Sequence, residues 1–270
     1  MLKDKKISFI GGGAMAEALI RGLVAAELVE AGQISVSDVS KDRLAYLADN
    51  YKVATTYDSL SVVRQADILI LAVKPQVIQG VLDEISGAVS RNTVTISIAA
   101  GITLAVLEEK LSGVPIIRVM PNTPVAVSAG MSAIALGKAA TPDMGELALS
   151  IFSSVGRAVV VSENAMDAVT GLSGSGPAFA YVLIDALSDA GVKVGLPRTM
   201  ALTLAAQTLF GAAKMVLDTG EHPAKLRDMV TSPGGTTIAG VHVLEQRSVR
   251  AAMMDAVEAA TNRSREMGLK

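Results

Sequence analysis

The chain has 270 residues, of which 50% are hydrophobic and 19% charged, with 24 glycines, 9 prolines and no cysteine. This composition excludes a disordered or collagen-like chain, and the lack of cysteine excludes disulfides and thiolate chemistry. A formal net charge of −2 and an aromatic content of 3% give no basis for binding nucleic acid. The two histidines, His222 and His242, lie far apart, so we also expect no metal site.

The sequence also indicates where in the cell the protein is expected. The first residues pass from charged side chains directly into an apolar strand, without the hydrophobic region and cleavage site of a signal peptide. The longest uncharged stretch, Val119–Gly137, contains two prolines and several polar residues, which makes it a poor membrane span. We therefore predict a cytoplasmic protein without a membrane partner.

From the N-terminus to about Ser162, short β-branched runs alternate with helical patterns, which is typical of a parallel sheet built from βαβ units. Several runs are apolar on both faces, as expected for strands covered by helices on both sides. We predict an α/β, Rossmann-like doubly wound domain. Its predicted strands are Ile7–Ile10, Ile34–Asp38, Val53–Thr55, Asp67–Val73, Thr93–Ala99, Ile116–Met120 and Met131–Leu136, and its helices include Met15–Val29 and Lys41–Asn50.

Beyond Ser162 the β-like runs stop, and the remaining sequence predicts helices separated by glycine- and proline-rich breaks. We place the linker at Val160–Asn164, which gives an α/β domain at 1–162 and an all-α domain at 163–270. The segment Met200–Leu217 is apolar on nearly every side, and such a helix must be buried all round. A small helical domain has little interior for it, so we predict a homodimer formed through these helices.

The segment from Gly11 to Ala16 matches the pattern G-x-G-x-x-A between a strand and a helix. Gly11 permits a tight turn, Gly13 lets the backbone approach a pyrophosphate, and Ala16 allows close packing of helix on strand. Free amides at the helix N-terminus then point at the phosphates. The alternative is a glycine-rich turn without a ligand. We predict a dinucleotide site that includes Gly11, Gly12, Gly13, Ala14 and Met15.

Asp38 ends the second predicted strand, where an acidic residue usually bonds the adenosine ribose and favours NAD. Lys41 and Arg43 follow closely, and both could instead neutralise the additional phosphate of NADP. The coenzyme is therefore predicted only as NADPH or NADH.

Further candidate cofactor residues follow other strands at the carboxyl edge of the sheet, where open α/β sheets bind ligands. Pro75 suits the first turn of a helix, Gly101 permits close backbone approach, and Asn122 offers hydrogen bonds near the nicotinamide. Ordinary loop chemistry is the alternative. The predicted residues are Ala72, Val73, Lys74, Pro75, Ala99, Ala100, Gly101 and Asn122.

The helical part contains two glycine-rich stretches, Val169–Ala178 and Thr231–Thr237. A turn of this type exposes backbone N–H groups at a helix N-terminus and surrounds them with hydroxyls, which suits a carboxylate. Two ordinary helix starts are the alternative reading.

Taken in order, these motifs resemble the pyrroline-5-carboxylate reductase family over essentially the whole chain, and Ser232–Thr237 is the most specific of them. The resemblance implies a Rossmann domain followed by a helical dimerisation domain, with dimers often gathered into a larger ring such as a decamer. It also implies reduction of Δ1-pyrroline-5-carboxylate to L-proline by NADPH or NADH. Asp38 departs from the polar or basic surroundings common in members that prefer NADPH.

The resemblance also assigns roles to particular residues. Thr170 is the candidate catalytic residue beside the ring nitrogen. Glu163 and Glu221 are weaker candidates for the pocket rim, and we expect both to be solvated. The substrate carboxylate is expected to be held by Ser232, Gly234, Gly235, Thr236 and Thr237.

Other functions remain open on the sequence alone. A related cyclic-imine reductase would share these motifs. A β-hydroxyacid dehydrogenase would need a lysine just after the linker, and none occurs between Arg157 and Lys193. A nucleotide-binding sensor without activity would need the glycine fingerprint but not Ser232–Thr237.

Overall fold

A computed structural model describes residues 2–268 of the chain. Within them the contacts separate two compact units. The first contains the residues up to Gly174 together with those from Ala260 onward, and the second is Ser175–Ala259. The predicted limits of 1–162 and 163–270 follow sequence pattern rather than contacts, and they stay a prediction.

The first unit is built on one sheet, which has eight strands in the described part of the chain. Their order is β3-β2-β1-β4-β5-β6-β7-β8, and β1 to β6 run parallel to one another. The strands are β1 (Ile7–Ile10), β2 (Ile34–Ser37), β3 (Ala54–Thr56), β4 (Ile68–Leu71), β5 (Val94–Ser97), β6 (Ile116–Met120), β7 (Gly130–Leu136) and β8 (Gly156–Val160).

Helices connect and cover these strands. Those of the first unit are α1 (Ala14–Ala25), α2 (Lys41–Tyr51), α3 (Ser59–Arg64), α4 (Ile78–Ile85), α5 (Leu104–Lys110), α6 (Pro142–Ser153) and α7 (Met166–Val169). The later helices are α8 (Gly176–Lys193), α9 (Arg198–Thr219), α10 (Pro223–Met229), α11 (Thr236–Gln246) and α12 (Val249–Gly268), whose residues from Ala260 onward belong to the first unit.

The central strand β4 shows why the fold is doubly wound. All of its residues are buried, and successive side chains point to opposite faces of the sheet. Ile68 and Ile70 join one apolar cluster, whereas Leu69 and Leu71 join the other. The sheet therefore has a hydrophobic core on each face, which confirms the predicted Rossmann-like α/β fold.

The end of the sheet differs from the predicted all-parallel arrangement. Strand β7 runs antiparallel to β6, because the connection Pro121–Ala129 holds only a short 3-10 turn. A parallel return needs a crossover of about a dozen residues or more. Strand β8 follows helix α6, pairs parallel with β7, and was not predicted, although its end lies in the β-branched run Val159–Val161.

The second unit is helical, as predicted, and glycine- and proline-rich breaks separate its helices, as expected. The stretch Val169–Ala178 is different from the prediction, because Thr170–Gly174 forms a π-helical turn that continues from α7. Thus only the start of α8, with Pro177 in its first turn, matches the predicted helix N-terminus there.

Helix α9 corresponds to the apolar segment Met200–Leu217. Ala201 and Ala205 are its only buried residues, while Phe210 is 59% exposed. By length and composition alone this helix could cross a membrane, and it is the one such helix in residues 2–268. An apolar surface of this extent requires a cover that one chain does not provide.

Candidate active site

The predicted cofactor segments meet at one edge of the sheet. Strands β2, β1, β4, β5 and β6 are consecutive neighbours and parallel, so their carboxyl ends lie together. This edge is where open α/β sheets bind ligands. The segments that follow these strands are Asp38, Gly11–Met15, Ala72–Pro75, Ala99–Gly101 and Asn122.

Gly11 is required by the backbone around it. Its φ is 95°, and an added Cβ would lie 2.5 Å from the carbonyl oxygen of Ala72. The Gly11 amide also donates to the Ser37 carbonyl at 2.8 Å. A side chain here would therefore push apart the loops that follow β1 and β4.

Gly13 is glycine for a different reason. It caps the N-terminus of α1 with ordinary extended dihedrals, and no side chain caps that helix end. An added Cβ would have no atom within 4 Å. Neither strain nor packing therefore explains the glycine, whereas an approaching pyrophosphate does. The residues present fit a dinucleotide.

The carboxylate of Asp38 is already bonded to the backbone. One oxygen accepts the amide of Gly12 at 2.7 Å, and the other accepts the amide of Ser40 at 2.8 Å. Asp38 therefore fixes the glycine-rich turn, and each oxygen keeps a lone pair for a ribose hydroxyl.

Arg43 is held by the same turn rather than left free for a phosphate. Its guanidinium donates to the carbonyl oxygen of Gly12 and to the Glu17 carboxylate. Tyr46 and Tyr51 also donate to Glu17, at 3.1 and 2.8 Å. Although partial burial acts to raise the pKa of Glu17, the bonds from Arg43 and Tyr51 outweigh it and lower that pKa.

Two other edge segments lead directly into helical turns. Lys74 is the N-cap of a 3-10 turn that begins at Pro75, as predicted. Gly101 has a φ of 76° and open space where a side chain would lie, and Thr103 caps α5 two residues later. Both segments thus present backbone at the sheet edge.

Asn122 has a structural task in addition to its predicted one. Its Nδ2 donates to the carbonyl oxygen of Ser173 at 3.0 Å, and its Oδ1 accepts the amide of Met131 at 2.8 Å. The side chain therefore links the end of β6 to β7 and to the π-helical turn.

Thr170 begins that turn. Its hydroxyl donates to the carbonyl oxygen of Met166 at 2.8 Å, and it is half-buried. At the other end of the turn, a Cβ on Gly174 would lie 2.8 Å from the terminal methyl of Met120. The turn is therefore packed closely against the residue that ends β6.

The residues predicted to hold the carboxylate lie together in the second unit. Gly234 has a φ of 65°, and the amide of Gly235 donates to the Ser232 carbonyl at 3.1 Å. No side chain caps α11, whose first residues are Thr236 and Thr237. The first amides of a helix have no partner within it. This end of α11 is thus open to an anion.

One partly buried ion pair was not anticipated from the sequence. Glu163 does not behave as the solvated carboxylate that we expected, because its side chain is 31% exposed and pairs with Arg118 at 3.1 Å. The sequence feature that could have indicated this pair is Arg118, a charged residue within the otherwise apolar strand Ile116–Met120.

Comparison with known proteins agrees with the geometry of the sheet edge. Residues 6–101 match the family model described as NADP oxidoreductase, coenzyme F420-dependent. Residues 163–267 match the model described as pyrroline-5-carboxylate reductase dimerisation. The fold and these matches define an NAD(P)-dependent oxidoreductase that forms a homodimer.

Curated relatives specify the family. A pyrroline-5-carboxylate reductase of Methanosarcina acetivorans is 50% identical over 270 residues, covering 100% of both chains. The Escherichia coli (strain K12) protein of the same name is 43% identical over 265 residues, covering 98% of each. The chain belongs to the pyrroline-5-carboxylate reductase family.

Solved structures of pyrroline-5-carboxylate reductases have the same fold as this chain. A pyrroline-5-carboxylate reductase from Coxiella burnetii aligns with a TM-score of 0.93 at 37% identity, over 97% of this chain and 98% of that one. The Plasmodium falciparum enzyme, solved with NADP bound, aligns with a TM-score of 0.87 at 34% identity, over 99% of this chain and 100% of the other.

Proposed function

We propose residue roles for the reaction of this family, the reduction of Δ1-pyrroline-5-carboxylate to L-proline by NADPH or NADH. The observation that carries the proposal is the hydrogen bond from Thr170 to Met166, because it fixes the direction in which Thr170 can bond to a substrate.

The chemistry requires a protonated imine and few protein groups. A bound reduced nicotinamide would supply a hydride to the imine carbon, while the electron pair of the C=N bond moves to nitrogen. The chain itself has to bind the protonated ring, hold it in place and exclude water. No histidine or cysteine is needed for these tasks.

Thr170 acts as an acceptor toward the substrate. Its only hydroxyl proton goes to the carbonyl of Met166, so the oxygen offers lone pairs. A protonated imine carries an N–H that can donate to this oxygen, whereas a neutral imine does not. Thr170 therefore selects the reactive, protonated form rather than delivering the proton.

The carboxylate of the substrate binds at the start of α11. Because Gly235 already bonds to Ser232, the amides of Thr236 and Thr237 are the better donors. The hydroxyls of Ser232, Thr236 and Thr237 add donors, and the helix dipole favours the negative charge. The positive φ of Gly234 allows the preceding turn.

The cofactor is held by the segments at the sheet edge. Gly11–Met15 binds the pyrophosphate, and Asp38 bonds the adenosine ribose. Ala72–Pro75 and Ala99–Gly101 line the nicotinamide ribose and ring. Asn122 contributes by holding the turn that carries Thr170.

We further propose a cytoplasmic enzyme whose dimers assemble into a ring such as a decamer. Exposed large apolar side chains occur on several helices of the second unit, and they include Tyr181, Phe210, Met229, Leu244 and Met254. Because exposed apolar surfaces lie on several different helices, they support more than one interface between copies of the chain. Light scattering that finds only dimers at micromolar concentration would rule out the ring.

The direct test is to follow oxidation of NADPH and of NADH by the purified chain, in parallel, with Δ1-pyrroline-5-carboxylate as substrate. Rapid oxidation with formation of proline supports the proposal, and the ratio of the two efficiencies gives the coenzyme preference. Saturable NADPH binding without turnover of this imine would instead indicate a nucleotide sensor.

A further inference from the structure

Arg118 is a charged residue in a hydrophobic layer. It is 6% exposed at the middle of β6. It shares a face of the sheet with Ile116, and that face packs on an apolar cluster that also contains Ala135 and Met166. A guanidinium in such surroundings needs a partner, because burying an unpaired charge is costly.

Glu163 is that partner, and it makes a second bond. Its Oε1 lies 3.1 Å from a terminal nitrogen of Arg118, and the same oxygen accepts the backbone amide of Leu104. Leu104 is the first residue of α5 and follows Gly101 by three positions. One carboxylate oxygen thus joins a strand, the loop expected to line the nicotinamide and the segment that leads to Thr170.

The same strand also contacts the far end of that segment. Arg118, Met120 and Asn122 are alternate residues along β6 and its extension. They meet Glu163, Gly174 and the carbonyl of Ser173, respectively. The helical segment 163–174 is therefore fastened to β6 at both of its ends, with Thr170 between them.

The energetics argue that this ion pair has a task besides stability. Replacing a buried ion pair by apolar residues of similar volume is often neutral or stabilising, because desolvation offsets the attraction. An apolar pair, however, would not bond the amide of Leu104 or define a single register. A geometric task explains why charges occupy this position.

We infer that Arg118 and Glu163 are positioning residues, which hold the segment bearing Thr170 in fixed register with the loop 99–101. The inference rests on the proposed role of Thr170. Because a displacement of about 1 Å at a reacting centre can lower a rate about 100-fold, a tether of this kind acts on hydride transfer rather than on binding.

The test compares Glu163→Gln, Arg118→Met and the double variant with Asp83→Asn. Asp83 of α4 forms an exposed ion pair at 2.6 Å with Lys110, which ends the helix α5 that Leu104 begins, so Asp83 is a matched control outside the site. Steady-state kinetics with ordinary NADPH and with NADPH deuterated at the transferred position give kcat, KM and the isotope effect. Hydrogen exchange of the free protein measures order without cofactor.

We expect each single substitution to lower kcat about 10- to 100-fold, with KM for the imine changed less than about threefold and an increased isotope effect. In these variants, amide hydrogen exchange should be faster than in the wild type for peptides covering residues 98–104 and 163–174, and unchanged for other peptides. Asp83→Asn should match the wild type in all of these measurements.

Unchanged kcat and isotope effect in folded Glu163 and Arg118 variants would overturn the inference, as would faster exchange spread over the whole first unit. If Glu163→Gln does not fold, Glu163→Asp keeps the charge but shortens the reach, and the same shifts are expected. A wild type that does not reduce the imine would refute the proposed function, while local exchange would still test the tether.

Discussion

The hydroxyl of Thr170 donates to the carbonyl oxygen of Met166, one turn earlier in the helix, at 2.8 Å. A carbonyl has no proton to give, so the direction of this bond is fixed. While this bond is made, Thr170 can only accept a hydrogen bond from a ligand. In the proposed mechanism, the proton that makes the imine reactive therefore arrives with the substrate.

Thr170→Val removes the acceptor while keeping the shape of the side chain. We expect kcat/KM for the imine to fall about 100-fold, with the affinity for NADPH unchanged, because only the protonated imine loses a bond. In the variant, kcat/KM should decline at the same alkaline pH as in the wild type, because that decline reports loss of the proton from the substrate imine.

Ser173→Ala is the control for this substitution. The Ser173 hydroxyl bonds to the carbonyl of Val169 at 3.1 Å in the same π-helical turn, but we assign it no substrate contact. Its kinetics should resemble the wild type. A shift of the alkaline limb in Thr170→Val would show instead that Thr170 delivers the proton.

Arg43→Met tests the role of Arg43 in the glycine-rich turn. Because its guanidinium bonds to the Gly12 carbonyl and to Glu17, we expect NADPH and NADH to lose about tenfold in affinity alike. Fluorescence titration with each coenzyme measures this. Lys41→Met removes an exposed cation from the start of the same helix and serves as comparison. A loss confined to NADPH in Arg43→Met would identify Arg43 as a phosphate ligand.

Thr237→Val tests the anion site at α11. Loss of one hydroxyl donor to a carboxylate should raise KM for the imine about tenfold and leave KM for NADPH unchanged. Thr231→Val is the matched control, because the Thr231 hydroxyl already donates to the Arg227 carbonyl at 2.7 Å. Equal KM values for Thr237→Val and the wild type would remove Thr237 from the carboxylate site.

The fold was predictable because its signals are local. Runs such as Ile68–Leu71 are apolar on both faces, and the glycines of Gly11–Gly13 lie between a strand and a helix. Strand β8 was missed although the run Val159–Val161 is a local β-branched signal, and the direction of β7 was missed because no local pattern specifies it. The length of the Pro121–Ala129 connection was the available signal.

The site was predictable by residue type but not by bonding. The sequence singles out Asn122 and Asp38 as ligand contacts, yet both side chains are bonded to backbone groups of distant segments. The pairing of Arg118 with Glu163 joins residues 45 positions apart, and only tertiary structure brings them together. Such contacts depend on the packing of whole elements rather than on sequence spacing.

Glu17→Gln should make stability less dependent on pH. The pKa of Glu17 is held below 4.5, so its ionised form stabilises the fold at neutral pH, and this contribution is lost as pH falls through the lowered value. We expect a loss of about 1 kcal/mol at pH 7 that shrinks on acidification. Urea unfolding at several pH values, with the exposed Glu146→Gln as control, measures it. A difference from the wild type that is constant with pH would contradict this account.

Helix α9 gives the test of the dimer. Phe210 is 59% exposed on a helix that is apolar nearly all round, and a dimerisation domain explains how that surface is covered. Phe210→Asp places a charge where an apolar contact is expected, so the dimer should dissociate at concentrations at least about 100-fold higher than for the wild type. Sedimentation velocity over a concentration series measures this. Lys214→Ala alters the same helix at an exposed ion pair with Asp218 and should leave the dimer intact. A Phe210→Asp variant that stays dimeric at the lowest wild-type concentration would place the interface on other helices of the second unit.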